Sequence, residues 1–226
     1  MKHLLVLAAF VSALFACQSA TENQPQATNP TAQTTTAAPL SSTDKKHIVF
    51  FGNSLTAAFG LSPEQGFPAL IQQKIDAAGL PYTCVNAGLS GETTAGGSKR
   101  VDWVLRQPVD VFVLELGGND ALRGLPIEES KKNLQAIIDQ VKAKYPACKI
   151  VLAGMLAPPN MGEKYTRDFA AMYPAVAKAN GLPLIPFLLE GVGGDAKLNQ
   201  ADGIHPTAEG QKIVAENVWK VLQPLL

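Results

Sequence analysis

An α/β domain built on a parallel sheet follows from three features of the chain. Short apolar runs alternate with stretches of helical spacing, which is the pattern of βαβ units. The run Val111-Phe112-Val113-Leu114 is continuously apolar, as a strand covered on both faces requires. Gly and Asn cluster just after the runs, where backbone must turn sharply or approach a ligand closely. Five such units with right-handed crossovers make a three-layer α/β/α domain.

The elements follow in order. Apolar runs at 48–51, 82–85, 109–116, 149–155 and 182–187 predict five strands. The first helix is predicted over 63–78, with Phe67, Leu70, Ile71 and Ile75 on one face and Gly79 ending it. The second covers 94–106, with Val101, Val104 and Leu105 inward. A third, over 127–144, carries Leu134, Ile137, Ile138 and Val141 and stops before Pro146. The fourth covers 165–180, with Phe169, Met172, Tyr173 and Val176, and Gly181 closes it. The last covers 206–222, with Ile213, Val214, Val218 and Leu222 inward. No internal repeat is present.

The region before the first strand has a different character. Residues 1–16 combine a basic start with an apolar run too short to span a bilayer, as in a secretory signal. Cys17 follows Leu14-Phe15-Ala16, which resembles a bacterial lipobox and implies lipidation of Cys17. Residues 17–46 are Thr, Ala, Gln, Asn, Ser and Pro with almost no large apolar side chains, the composition of a disordered tether. The predicted domain is therefore 47–226, roughly 180 residues, enough for a sizeable core. The expected location is the cell envelope, periplasmic or on the outer membrane, held through Cys17. The charge balance excludes a basic footprint for nucleic acid, with 19 Lys and Arg against 19 Asp and Glu. Neither GxGxxG nor GxxxxGK[ST] occurs, which argues against a dinucleotide or phosphate loop.

In an open parallel sheet, ligands bind outside the carboxyl ends of the strands. The first such end is Gly52-Asn53-Ser54, which can present a serine hydroxyl at the rim. A nucleophilic serine needs a base. After the signal the chain holds two histidines, His47 and His205. His47 starts the strand that Ser54 follows, and seven extended residues separate the two by roughly 20 Å. His205 lies in the loop after the last strand, and Asp202 precedes it by three residues. That spacing lets the carboxylate hold the Nδ1–H and leave Nε2 free to take the serine proton. An acyl-transfer site also needs donors aimed at an oxyanion. The candidates are the N–H of Ser54, the N–H of Gly91 and the side-chain amide of Asn119. Asp202-x-x-His205 taken alone is more often a helix-capping and solvated pattern, and Gly91 and Asn119 taken alone are turn residues.

Gly52-Asn53-Ser54-Leu55, Gly91, Gly118-Asn119-Asp120 and Asp202-x-x-His205 stand in the order of the four blocks of the GDSL/SGNH hydrolases. Through 114–124, the chain resembles the bacterial acyl-thioesterase, lysophospholipase and arylesterase branch, and the likeness covers about 48–225. The resemblance implies a flavodoxin-like sheet of order 2-1-3-4-5. It also implies metal-free, cofactor-free hydrolysis of carboxylic esters or thioesters by a Ser54–His205–Asp202 triad, with Ser54, Gly91 and Asn119 as the oxyanion hole. Leu122, Pro158 and Met161, in the apolar stretches after the third and fourth strands, are the expected substrate contacts. The protein is expected to act as a monomer on a small ester or thioester. One departure stands out: Asn53 occupies the place of the family's usual Asp. That position lies outside the triad, so activity is expected to survive.

With the implied order, Cys84 and Cys148 lie three strand positions apart. At about 4.8 Å per neighbour this is roughly 14 Å, too far for a disulfide. Two free, buried thiols are expected. Two alternative readings stay open at this stage, a carbohydrate O-acetyl esterase and a lipid-anchored binding protein without turnover.

Overall fold

Parallel pairing begins with β1 (Lys46–Gly52), the strand whose far end carries the candidate serine. It lies between β2 (Tyr82–Gly88) and β3 (Val111–Glu115), so Gly52 stands level with Gly88 on one side and Glu115 on the other. Beyond β3 come β4 (Lys149–Ala153) and β5 (Leu184–Ile185). The order is 2-1-3-4-5 with every pair parallel, as the sequence and its resemblance led us to expect. The computed structural model describes residues 45–226. The predicted signal, Cys17 and nearly all of the predicted tether lie outside the described residues.

Among the described residues six α-helices cover the sheet: α1 (Phe67–Ala77), α2 (Thr94–Val104), α3 (Gly118–Leu122), α4 (Ile127–Lys144), α5 (Glu163–Asn180) and α6 (Ala208–Leu222). Successive strand residues point to opposite faces, and β1 shows both. Phe50 meets Phe67 of α1 edge-to-face at 5.5 Å, whereas Phe51 sits beneath the Arg100 guanidinium of α2 at 4.3 Å. Phe51 also packs on Phe112 of β3. Most helical positions named from periodicity bury: Ile71, Ile75, Val101, Leu134, Ile137, Ile138, Val141, Phe169 and Val218 are all at most 2% exposed, whereas Leu70 and Ile213 are half-buried.

Helix limits follow local chemistry. Thr93 and Thr207 cap α2 and α6, each hydroxyl accepting from the N–H three residues on. Glu128 and Glu129 open α4 and Lys142 and Lys144 close it, complementing the helix dipole. The α4 bounds match the predicted ones. The first helix starts at Phe67 rather than at 63, after a separate 3-10 turn over Pro63–Gln65, and other expectations change too. The fifth strand shrinks to two residues, because Pro183 and Pro186 flank it and neither has an N–H for the ladder. The second strand runs on to Gly88, past its apolar stretch, since it is an edge strand whose outer residues meet solvent. The segment after β3, read as loop, begins with the short helix α3.

Cys84 and Cys148 are both free, as expected. They are half-buried rather than fully buried: Cys84 is on the edge strand and Cys148 sits just before β4, at the sheet's amino end. Burial is the main cause that pushes both thiols up to about 12, with Asp76 adding to it at Cys84 and Asp110 at Cys148.

Candidate active site

Ser54 emerges two residues past the end of β1, in a tight loop where the Asn53 carbonyl accepts from Ala57 N–H and the Ser54 carbonyl from Phe59 N–H. Glycine is required at position 52. A Cβ there would fall 2.4 Å from Glu115 Oε2 and 2.8 Å from the Glu115 carbonyl oxygen. Beneath the loop, Glu115 accepts from Asn53 N–H (3.1 Å), Asn53 Nδ2 (2.8 Å) and Thr56 Oγ1 (2.8 Å). Asn53 Oδ1 in turn accepts from Leu55 N–H at 2.9 Å. The loop behind the serine is therefore laced to β3 through one buried carboxylate. Burial pushes that carboxyl up to about 7, and hydrogen bonds from Thr56 and Asn53 pull in the opposite direction.

His205 reaches Ser54 across 151 residues of chain, with Nε2 lying 2.8 Å from Oγ. Its Nδ1 is 2.7 Å from Asp202 Oδ2. The other carboxylate oxygen, Oδ1, accepts from the backbone N–H groups of Ile204 and His205, both at 3.0 Å. The His205 N–H first, then its ring, then the Ile204 N–H hold the Asp202 carboxyl down at about 2. With Asp202 anionic, Nδ1 carries the hydrogen and Nε2 presents a lone pair to the serine. His47 is at the amino end of β1, where its N–H donates to Asp110 Oδ2 at 2.8 Å, far from this cluster in the sheet.

The three expected donors border one cavity of about 570 Å³ that opens on Ser54 and His205. Gly91 has φ +79, so glycine serves there by its left-handed backbone; a Cβ would meet nothing nearer than 4.0 Å. Asn119 sits in the first turn of α3 and donates one Nδ2 hydrogen to the Glu92 carbonyl at 3.0 Å, which fixes the amide and leaves its second hydrogen available. The loop carrying Gly91 is held from behind, since Arg100 pairs with Glu92 and also donates to the Ala87 carbonyl at 2.9 Å. Among the described residues, the N–H groups of Ser54 and Gly91 meet no protein acceptor.

The cavity walls are mostly apolar and include Leu122 and Pro158 but not Met161. The 3-10 turn Pro159–Met161 carries Met161 away, into a separate hollow with Ile127 and Tyr165. Sequence reasoning missed Phe59, Leu189 and Ile204, which do line the cavity, together with Met155 from the apolar stretch after the fourth strand. Phe59 is lifted there by a kink, because Ala58 has φ +58, and its ring lies 4.6 Å from that of His205. Nothing in the local sequence signals an alanine in that conformation. No group of His, Cys, Asp and Glu suited to a metal occurs among the described residues.

Comparison with known proteins bears directly on this arrangement. Residues 50–213 match the model of the GDSL-like Lipase/Acylhydrolase family. The chain is 42% identical over 180 residues to Esterase TesA of Pseudomonas aeruginosa, covering 79% of this chain and 89% of that one. It is 36% identical to Thioesterase 1/protease 1/lysophospholipase L1 of Escherichia coli, over 79% of this chain and 84% of the relative. The crystal structure of a psychrotrophic esterase, EstA from Pseudoalteromonas sp., inhibited by monoethylphosphonate, superposes with a TM-score of 0.75 at 30% identity. It covers 80% of this chain and 98% of that one. Since the matched span runs through every strand end that frames the cavity, the chain belongs to the GDSL-like lipase/acylhydrolase family.

Proposed function

We propose that this protein is a serine esterase that cleaves carboxylic esters or thioesters through an acyl-enzyme. The observation that carries the reading is the continuous relay from Ser54 Oγ to His205 Nε2 and from His205 Nδ1 to Asp202, opening on an apolar cavity. Ser54 Oγ attacks the acyl carbonyl while His205 Nε2 takes its proton. Asp202 remains anionic and stabilises the imidazolium. The N–H groups of Ser54 and Gly91 and Nδ2 of Asn119 hold the oxyanion. On collapse, His205 hands the proton to the leaving alcohol or thiol. Water then enters, loses a proton to His205 and releases the acid, restoring Ser54. No step calls for a metal or cofactor.

Leu122, Met155, Pro158 and Leu189 give the cavity an apolar lining suited to an acyl chain rather than a sugar. The activities named for the relatives, those of an esterase, a thioesterase and a lysophospholipase, fit an acyl pocket of this kind. We further propose export by residues 1–16, anchoring through Cys17, and action as a monomer.

The test is a fluorophosphonate probe on the full chain with a 4-nitrophenyl ester assay. Wild type is expected to take up one equivalent at Ser54 and lose activity in step, and Ser54→Ala to do neither. Asn119→Ala is expected to keep the fold and lose about 10²–10³ in kcat. Labelling elsewhere, or turnover of acetylated xylan far above that of medium-chain aryl esters, would redirect the assignment.

A further inference from the structure

The loop bearing Asp202 and His205 closes on itself. Asn199 bridges Pro206, Gln200 N–H donates to the His205 carbonyl at 2.7 Å, and Gly203 N–H donates to the Gln200 carbonyl at 2.9 Å. A self-contained loop of this kind sets the geometry inside the Asp202–His205 pair. It does not set where that pair stands relative to Ser54. Among the described residues, two hydrogen bonds join residues 200–206 to the nucleophile loop 54–60. One is His205 Nε2 to Ser54 Oγ. The other runs from Gln200 Nε2 to the Phe59 carbonyl at 2.7 Å, and the same Nε2 donates to the Pro206 carbonyl at 3.0 Å.

We propose that Gln200 is a positioning residue for the hydrolysis, clamping the histidine loop to the serine loop through the Phe59 backbone. The first of the two links cannot do this work throughout a turnover. Once Ser54 Oγ is acylated it has no hydrogen, and His205 must turn its Nε2 to the leaving group and then to water. At that stage the Gln200 amide is the hydrogen bond that remains between the loops. Its two donors match two carbonyls, one from each loop, so a single side chain fixes their separation. Holding the Phe59 carbonyl also sets the height of the Phe59 ring, 4.6 Å from that of His205, which limits how far the imidazole can tilt. The glutamine touches neither substrate nor the reacting atoms.

This inference rests on Ser54 and His205 acting as nucleophile and base. Gln200→Met in the full chain keeps the side-chain length and removes both donors. Gln200→Glu puts carboxylate oxygens against the two carbonyls. Both are expected to keep the far-UV spectrum and a full equivalent of titratable serine. Their kcat on a 4-nitrophenyl ester should fall about 10- to 100-fold with KM little changed, and fluorophosphonate inactivation should slow in parallel. A kcat and inactivation rate within about twofold of wild type in either variant would overturn the clamp. So would a loss that resides wholly in the titratable fraction, because a merely structural role lowers the number of active molecules and not the rate of each. A wild type that does not label at Ser54 removes the esterase reading itself. An active wild type with indifferent Gln200 variants removes the clamp alone.

Discussion

Glu115 is a buried carboxyl behind the nucleophile. It is 2% exposed, faces no cation in a salt bridge among the described residues, and accepts hydrogen bonds from Asn53 and Thr56. Where the family usually has an Asp, this chain offers Glu115 an amide that can donate without first binding a proton. The Glu115 carboxyl is raised from 4.5 to about 7 in the folded chain. A raised pKa means the folded state holds the proton more tightly than the unfolded one. Its contribution to stability is therefore fully present below about 4.5 and is lost as pH climbs through about 7. We expect the difference in Tm between wild type and Glu115→Gln to shift in favour of wild type as pH falls across that window. Thermal melts at pH 4.5 and 8 check this, and an unchanging difference contradicts it. Neither Glu115 nor Phe59 was legible as a site residue. One lies in an apolar strand, and the other depends on an alanine at φ +58, which sequence does not announce.

Among the elements, α3 has only five residues and yet positions Asn119. It is too short to be stable through its own hydrogen bonds. Asp120 anchors it instead. This 1% exposed carboxylate accepts from Thr94 N–H at 2.9 Å, from Thr94 Oγ1 at 2.5 Å and from Ser130 Oγ at 3.0 Å. It thereby joins α3 to the start of α2 and to α4. Asp120→Ala strands three buried donors, at a cost of about 2–4 kcal/mol. Tm is expected to fall by roughly 5–15 °C, with kcat falling too because Asn119 loses its footing. A melt and a progress curve on the same sample decide it; an unaltered Tm would leave α3 without this anchor. The helix was not legible because five residues show no period. By contrast, α4 was legible to the residue, since eighteen residues of regular spacing end at Pro146. β5 was overdrawn because its apolar run extends past the prolines that stop its ladder.

At the scale of the molecule, alternating strands and helices were enough to give the α/β class, but not the sheet order. The order came from the likeness to a family, and it is what brings Ser54, Gly91 and Asn119 to one edge. The histidine loop was assigned by elimination, with His47 at the wrong end of the first strand. Its attachment through Gln200 was invisible, because a glutamine 141 residues from its acceptor carries no local pattern. The apolar start of the chain and Cys17 lead to a separate expectation for the full-length protein. Expressed in a Gram-negative host, it should sediment with membranes, and Cys17→Ala should move it to the soluble periplasmic fraction with activity intact. Equal partitioning of the two would exclude the anchor. Among the described residues no helix is long and apolar enough to cross a membrane.

The two unpaired cysteines among the described residues have a consequence for the reactivity of the folded domain. Thiol–disulfide exchange proceeds through the thiolate. With both thiols pushed up to about 12, only about one molecule in 10⁵ carries a thiolate at either position at neutral pH. Such groups exchange slowly with oxidants and with one another. In the folded domain Cys84 and Cys148 are therefore slow to react, and neither is paired.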